Sequence, residues 1–454
     1  MSTQQKQLPV RKNDILTITA TSMNSDGQGV GHVDRYAVFI PGLLPGETAE
    51  VQIIKTGSAY GVAKVLELTV PSPDRVDPFC PVFPACGGCT LQHLSYPAQL
   101  KYKTQMVKDC LQRIGGFRDV SVCPAIGMDD PLRYRNKGSF PLGEADGRTV
   151  FGFFSPRTHR LIPISDCPIQ DSRVISVMHK IQQWAETYRV SVYCEETKKG
   201  ILRHAVLRVT SEHEIIAVLV TTGPFPHESE LVEALPDVSS IWHNVNPSDT
   251  NVIFGKTFRF LHGKEHLYHQ IDGLRYSIHP QSFLQVNTVQ TALLYRTAIR
   301  FLNPGRQEKI IDAYCGAGTI SLLLAGECGS VLGIESVPAA VDDAKRNADI
   351  NRISNAAFVC GEVENVLPGI CHNYDALIID PPRKGCDPKV LHAIGQSSLN
   401  RMVYISCNPS TLARDMQILS TYGFSPVEIQ PVDMFPFTSH VETVVCLRRE
   451  NVDG

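Results

Sequence analysis

The sequence lacks the features of a membrane-embedded or secreted protein. No stretch of its 454 residues approaches the roughly 18 consecutive apolar residues of a membrane-spanning helix. Residues 1–13 are polar and carry Lys6, Arg11 and Lys12 where a secretory signal would need an apolar segment. We therefore expect a cytoplasmic protein without a membrane partner.

A strong excess of charge is also missing. Charged residues make up 20% of the chain, hydrophobic residues 43%, and the formal net charge is −3, as in an ordinary folded protein. Such a charge gives no general attraction to a polyanion, so binding to nucleic acid would depend on local basic patches. Residues 133–137 and 198–204 could be such patches or merely solvated surface. The length of the chain predicts several domains.

Residues 14–70 have the pattern of short strands separated by turn-forming residues. We predict strands at Ile15–Ile18, Tyr36–Ile40, Ala49–Ile54 and Gly61–Val65. Turn signals such as Asp26-Gly27 and Pro41-Gly42 divide them, and residues 71–73 form an exit linker. This pattern favours a small closed β-barrel, which could bind RNA or have only a structural role.

Fourteen cysteines in a chain with no export signal indicate reduced thiols, metal ligands or catalytic groups. Cys80, Cys86 and Cys89 lie close together, and the two glycines before Cys89 let the backbone turn these thiols toward one centre. Three such thiols fit an iron-sulfur cluster or a zinc site, either of which needs a fourth ligand. The spacing differs from the Cys-x3-Cys-x2-Cys of radical enzymes, which disfavours radical chemistry. An amphipathic helix is predicted just beyond, over 96–115.

From Glu308 onward, alternating strands and helices predict an α/β sheet of parallel strands. The first strand, Lys309–Asp312, leads into a glycine-containing turn, and a second strand ends at Glu335, from which an acid can hold a ribose. Ser321 stands where a dinucleotide-binding turn would have its third glycine. A nucleoside ligand without a pyrophosphate, such as S-adenosylmethionine, therefore fits better.

Two later strands, Ala376–Ile379 and Met402–Ile405, end in polar residues, where such sheets bind their ligands. Cys407 follows the second of them and is our candidate nucleophile, although a buried cysteine can also be a core residue. Cys315 competes for this role but lies inside the cofactor turn. Glu442 precedes the last strand and could equally be a solvated turn residue.

Taken in order, these motifs resemble the RNA 5-methyluridine methyltransferases. The residues that carry the resemblance are Ser282–Asn287, Asp312–Gly318, Asp380–Arg383, Ser406–Pro409 and His440–Glu442. The resemblance extends over nearly the whole chain, since the barrel is similar to the family's TRAM domain and the cysteine run to its iron-sulfur motif.

The resemblance implies an architecture of three parts. An OB-like TRAM barrel that binds RNA would span 7–70, and a central mixed α+β domain carrying the iron-sulfur cluster would span 71–270. A class I, Rossmann-like α/β methyltransferase domain would span 271–454, with the helix near 96–115 packed on it.

The resemblance also assigns roles to individual residues. Cys407 would be the nucleophile and Glu442 the base. The cofactor S-adenosyl-L-methionine would contact Gln285, Tyr314, Glu335 and Asp380. A [4Fe-4S] cluster would be held by Cys80, Cys86, Cys89 and Cys167. Thr319 and Glu362 are not assigned to the cofactor, because some relatives carry Asn there.

The expected reaction is methylation of uridine carbon 5 in 23S ribosomal RNA by a monomeric enzyme. Carbon 5 of uracil is a weak nucleophile, so a thiolate must first add to carbon 6, and a base must later remove the carbon 5 proton. Transfer RNA is the alternative substrate, but the resemblance implies that relatives acting on it generally lack the barrel and cysteine cluster, which favours ribosomal RNA. An RNA-binding protein with a degenerate catalytic domain, or an iron-sulfur redox enzyme, would represent other functional classes.

Overall fold

A computed structural model describes residues 8–449. The predicted barrel starts at residue 7 and the predicted catalytic domain ends at 454, so both limits lie outside the described residues, as does Lys6. The six strands of the N-terminal sheet are β1 (Ile15–Thr19), β2 (Ser22–Met23), β3 (Gly29–Val33), β4 (Tyr36–Ile40), β5 (Thr48–Thr56) and β6 (Tyr60–Val70). All four predicted strands are confirmed.

The N-terminal sheet has the order β1-β5-β6-β4-β3-β2 and pairs antiparallel except between β4 and β6. Alternate residues of β4 and β5 are buried, as expected for strands with one face on a core. Val38, Ile40, Val51 and Ile53 lie in that core. The turn between β2 and β3 contains Asp26-Gly27, where the sequence predicts one.

A segment without regular secondary structure carries Cys80, Cys86 and Cys89 and leads into helix α1 (Tyr96–Arg113). The predicted helix is confirmed, but its lysines do not all lie on the solvent face. Lys103 is fully buried, because it lies one and two helical turns before Val107 and Leu111 on the inner stripe. Those two apolar residues belong to the same core as the C-terminal sheet, so α1 packs against that sheet.

The central part is a second sheet covered by helices. Its elements are β7 (Lys137–Ala145), β8 (Arg148–Phe154), β9 (Leu161–Pro163), α2 (Ser172–Thr187), β10 (Leu202–Val209), β11 (Ile215–Thr221), α3 (Glu228–Ala234), β12 (Ser240–Val245) and β13 (Thr257–Gly263). The strand order is β13-β12-β11-β10-β7-β8-β9. Met178, Ile181 and Trp184 of α2 are buried in its core. The hairpin β14 (Leu267–Ile271) and β15 (Leu274–Ile278) follows.

The C-terminal part alternates helices and strands, as the sequence predicts. It comprises α4 (Thr288–Leu302), β16 (Lys309–Ala313), α5 (Thr319–Ala325), β17 (Ser330–Glu335), α6 (Pro338–Ile350), β18 (Ala356–Cys360), α7 (Val363–Ile370), β19 (Ala376–Ile379), α8 (Pro388–Gln396), β20 (Arg401–Ser406), α9 (Pro409–Ser420), β21 (Phe424–Val432) and β22 (Glu442–Arg449).

The C-terminal strands form one sheet of order β18-β17-β16-β19-β20-β22-β21. The first five run parallel, whereas β22 is antiparallel to both of its neighbours. Two apolar cores cover the two faces of this sheet. Among the described helices, none has the length and apolar character that crossing a membrane requires.

Candidate active site

Four of the predicted site residues lie at one edge of the C-terminal sheet. Tyr314, Glu335, Asp380 and Cys407 stand at or just after the carboxyl ends of β16, β17, β19 and β20. Because these strands are parallel and adjacent, their carboxyl ends meet at the same edge. The fold therefore brings together motifs that are almost one hundred residues apart in the sequence.

The turn after β16 is built for close backbone approach. Tyr314 and Gly318 have positive φ angles of 65° and 79°, a region that favours glycine. A Cβ atom on Gly318 would lie only 3.0 Å from the Phe358 ring, so a larger residue would push against the neighbouring strand. Glu335 accepts backbone N–H groups from Gly316 at 3.1 Å and Val337 at 2.8 Å. Its carboxylate thus ties the first two turns of the edge together.

Gln285 lies in the segment that enters α4. The Asn136 side chain donates to the backbone carbonyl of Gln285 at 3.3 Å, and Asn287 caps α4 by accepting the N–H of Gln290 at 3.2 Å. Both ends of the segment are therefore fixed, one of them by the start of the central sheet. The side chain of Gln285 is half-buried.

Two acidic side chains near this turn have strongly raised pKa values. Burial raises the pKa of Asp312 to about 7 and that of Asp380 to about 7. Asp312 Oδ2 accepts the Ser321 hydroxyl at 2.5 Å, whereas its Oδ1 has no hydrogen-bond partner within residues 8–449. A carboxyl in that environment is favoured in its protonated form, which removes the cost of a buried charge.

Cys407 and Glu442 come together through the register of β20 and β22. Ser406 pairs with Thr443 at the end of this antiparallel ladder. Cys407, which follows Ser406, and Glu442, which precedes Thr443, therefore lie across from one another. Glu442 is only 4% exposed, and burial together with the Asp380 carboxyl raises its pKa to about 8. Burial raises the pKa of the Cys407 thiol, and the Glu442 and Asp380 carboxyls raise it further.

Arg383 is the cation that opposes these shifts. Its guanidinium lowers the pKa values of both Cys407 and Glu442, although burial outweighs it at each group. The backbone carbonyl of Arg383 accepts the Asn408 side chain at 3.2 Å, which fixes the loop after β19 against the start of α9. Arg383 Nη2 also lies 3.1 Å from Nδ1 of His440, which stands two residues before Glu442 in the motif His440–Glu442.

Cys315, the competing thiol, lies in a different environment. It is buried in the turn after β16, and burial raises the pKa of its thiol well above the ordinary value. The Asp312 and Glu335 carboxyls raise it further. Cys315 is thus a buried residue of the turn itself, whereas Cys407 is half-buried after β20 and lies across from Glu442.

The four predicted cluster ligands line one cavity of about 300 Å³. Cys80, Cys86, Cys89 and Cys167 share its wall with Arg135, Lys137 and Val286. Within the described part of the chain, no three His, Cys, Asp or Glu side chains are close enough to hold a single metal ion. The cavity instead collects four sulfur atoms from two segments about 80 residues apart.

The electrostatics of this cavity suit an anionic occupant. Burial raises the pKa of Cys89 to about 12 and that of Cys167 to about 11, so thiolates need compensation there. Two cations, Arg135 and Lys137, line the wall, the Asp166 carboxylate in the same wall is paired with Arg133, and the backbone N–H of Gly88 points at Cys86 Sγ at 3.4 Å. These residues fit an iron-sulfur cluster, whose thiolate ligands carry negative charge and accept hydrogen bonds.

Comparison with known proteins gives concordant matches. Residues 261–450 match the tRNA (uracil-5-)-methyltransferase family, and residues 9–66 match the TRAM domain. An uncharacterized RNA methyltransferase of Halalkalibacterium halodurans is 45% identical, with 98% of this chain and 99% of the relative covered. One of Clostridium tetani is 41% identical, with coverages of 97% and 98%.

One solved structure is similar over almost the full length. It is the tRNA (uracil-54, C5)-methyltransferase of Pyrococcus abyssi in complex with S-adenosyl-L-homocysteine, 30% identical with a TM-score of 0.77. The match covers 95% of this chain and 100% of that one, which confirms the expected fold and N-terminal barrel. The 5% of this chain that lies outside the match is shorter than the barrel, so the match includes at least part of the barrel. The expectation that relatives acting on transfer RNA lack a barrel is therefore wrong for this one.

Proposed function

Since the chain belongs to the RNA uracil-5-methyltransferase family, we propose that it methylates carbon 5 of a uridine in 23S ribosomal RNA. Cys407 is the nucleophile in this proposal and Glu442 is the base. The observation that carries it is the β20–β22 register, which sets the thiol opposite a buried carboxyl at the cofactor edge of the sheet. Uracil in folded RNA is normally stacked, so the target base would be flipped out to reach this depth.

Cys407 starts the reaction by adding its sulfur to carbon 6 of the uracil, which makes carbon 5 a nucleophile. Its raised pKa means that the thiol form dominates before substrate binds, and the proton must leave before addition. Arg383 favours the thiolate, and Cys407 also lies just before α9, where the helix dipole stabilises negative charge. S-adenosylmethionine, when bound, supplies an electrophilic methyl group.

Glu442 completes the reaction by accepting the proton of carbon 5. Loss of this proton returns electrons to the ring, so the bond between Cys407 and carbon 6 breaks and the methylated uracil is released. A carboxyl with a pKa of about 8 is a stronger base than an ordinary glutamate. Its position, only 4% exposed, also limits competition from water.

The cofactor residues divide into polar and aromatic contacts. Glu335 would accept hydrogen bonds from the ribose hydroxyls, and Gln285 and Asp380 would supply polar contacts at the same edge. Tyr314 would lie against the cofactor from the turn after β16. The closeness of Glu335 to the Gly316 backbone supports this assignment, because one carboxylate then shapes both the turn and the ribose site.

We also infer that Cys80, Cys86, Cys89 and Cys167 hold a [4Fe-4S] cluster. Their shared cavity, the two cations in its wall and the N–H directed at Cys86 support this assignment. The cluster would have a structural role, since four cysteines leave no coordination site open. The proposal includes a monomer that acts in the cytoplasm.

The four-cysteine set resembles that of the branch that acts on large ribosomal RNA, and this supports the 23S substrate, whereas the barrel does not separate the two substrates because the Pyrococcus enzyme is similar over it as well. Transfer RNA is the second candidate, favoured by the full-length similarity to the Pyrococcus enzyme. The two substrates can be separated directly.

We would supply labelled S-adenosylmethionine with purified 23S RNA or bulk transfer RNA and locate the label by nucleoside digestion. The proposal expects 5-methyluridine in 23S RNA with the wild-type chain and none with Cys407→Ala. Cys371→Ala, a substitution at another thiol in the same domain, is the matched control. Label in transfer RNA alone would overturn the ribosomal substrate, and full activity of Cys407→Ala would overturn the mechanism.

A further inference from the structure

The connection between β21 and β22 delivers Glu442 to the active site. We call residues 433–441 the base loop, because Glu442 follows it directly. Its path is fixed from outside the C-terminal sheet, by residues more than 300 positions earlier in the chain.

The cysteine segment holds the base loop through three hydrogen bonds. The backbone N–H groups of Thr90 and Leu91 both donate to the carbonyl of Phe437, at 2.9 and 3.0 Å. The Thr90 hydroxyl accepts the N–H of Ser439 at 3.0 Å. Since Thr90 follows Cys89 directly, the segment that carries three of the proposed cluster ligands is bonded to the base loop.

Helix α1 holds the same loop from a second direction. Gln99 is fully buried, and its side-chain oxygen accepts the N–H of Phe437 at 3.0 Å. Its amide group donates to the carbonyls of Leu91 and Leu94, at 3.1 and 2.7 Å, which fixes the orientation of the amide. Lys103 forms a fully buried ion pair with Asp433 at the start of the loop.

Phe437 is the point at which these contacts converge. Its N–H and its carbonyl are both bonded to the N-terminal half of the chain, and its ring packs edge-on against Phe79 with centroids 4.8 Å apart. Its φ of 65° is one that an aromatic residue adopts only when its surroundings hold it there. Releasing Phe437 would therefore change the backbone five residues before Glu442.

We propose that Thr90 and Gln99 are positioning residues for proton removal by Glu442, acting through Phe437 and Ser439. This inference rests on the role proposed for Glu442. The cysteine segment, in this view, serves catalysis by fixing the base loop. Addition of Cys407 to the uracil uses the loop less directly, because Cys407 is carried by β20 and α9 and is linked to the loop through Arg383, which lies 3.1 Å from His440.

The test separates the two halves of the reaction with the full-length protein. Thr90→Val keeps the shape of the side chain but removes the acceptor for Ser439. On RNA containing 5-fluorouridine, Cys407 still adds to carbon 6 and carbon 5 still takes the methyl group. The carbon-fluorine bond cannot be broken by a base, so the covalent adduct accumulates without any contribution from Glu442.

For Thr90→Val we expect turnover on normal RNA to fall about tenfold to a hundredfold, as small displacements of a catalytic group do. The rate of adduct formation on the fluorinated RNA should fall by much less than turnover does. Thr90→Ser restores the hydroxyl and should restore turnover. Thr158→Val is the matched control, because among residues 8–449 that hydroxyl bonds only within its own turn, to Ser155 and Arg160.

Gln99→Met gives a second route to the same result if Thr90→Val folds poorly. Unchanged turnover in the Thr90 and Gln99 variants, or an equal loss of turnover and adduct formation, would overturn the inference. Failure of the wild-type chain to form any adduct would instead overturn the proposed function. The two failures are therefore distinguishable in one set of measurements.

Discussion

Replacing Glu442 by Gln should stop the reaction at the covalent adduct while making the protein more stable. Glutamine has the shape of glutamate but cannot accept the carbon 5 proton. General bases contribute about 100-fold to 10,000-fold to rate, and turnover should fall by that range. Methyl transfer should persist, so the methylated RNA remains attached to Cys407.

The gain in stability follows from the raised pKa of Glu442. Its pKa is about 8 in the folded protein and 4.5 ordinarily. A carboxyl whose folded pKa is raised contributes its full stability below pH 4.5, and this is lost as the pH rises through about 8. At roughly 1.4 kcal/mol per pH unit, ionisable Glu442 costs the folded state at most about 3 kcal/mol at pH 7. Glu442→Gln removes this cost.

Three assays check these expectations. Urea unfolding at pH 4 and pH 7 should give Glu442→Gln a stability advantage at pH 7 that vanishes at pH 4, and denaturing gels should show its RNA adduct. Wild-type kcat/KM should rise with pH through about 8, because it reports the free protein and the carboxylate is the active form. Glu428→Gln, on the exposed part of β21, is the matched control and should change neither property. Turnover near the wild-type rate, or lower stability at pH 7, would refute the reasoning.

Three further results are expected. Lys103→Met should destabilise the chain by about 3–5 kcal/mol in urea unfolding, since Asp433 is left buried without its partner. Lys101→Met, on the exposed face of the same helix, should leave the stability unchanged. An equal effect of the two substitutions would contradict the role of the Lys103–Asp433 pair. Cys167→Ser should lower the iron content and visible absorbance of the purified protein, and Cys194→Ser, an exposed thiol away from the cavity, should not. In calorimetry, affinity for S-adenosylmethionine should increase from pH 6 to pH 8 more than affinity for S-adenosylhomocysteine. The carboxyls of Asp380 and Glu442, with pKa values of about 7 and 8, become negative in this interval, and only the first ligand carries a positive sulfonium. Parallel pH profiles for the two ligands would contradict that last expectation.

The sequence predicted those features that depend on local pattern. The strands of the barrel, helix α1 and the alternating C-terminal elements each bury a regularly spaced set of residues, and that spacing is visible in the letters alone. The residues after β19 and β20 were also found, because polar groups that follow buried strands are unusual. The burial of Lys103 is not evident from its residue type, because its spacing from Val107 and Leu111 places it on the inner stripe of α1 whereas its charge favours solvent.

The features that the pattern could not predict depend on long-range contacts. Thr90 and Gln99 meet Phe437 across more than 330 residues, and neither residue type signals such a partner. Cys167 was assigned only through the family resemblance, because no spacing rule connects it with the earlier cysteines. The pairing of Cys407 with Glu442 required the antiparallel direction of β22, whereas the pattern predicted a sheet of parallel strands.

Partial protonation explains why the proposed active site tolerates a group of buried acids. Burial raises the pKa values of Asp312, Asp380 and Glu442, the Asp380 carboxyl raises those of the other two further, and Arg383 is the cation that acts on Glu442. Acids this close cannot all ionise at neutral pH, so part of the group stays protonated in the free protein. A sulfonium ligand adds a positive charge beside them and favours ionisation, including that of Glu442. Once the methyl group has left, the sulfur is neutral and this stabilisation ends. The same charges would therefore favour binding of the methyl donor, prepare the base, and weaken binding of the product.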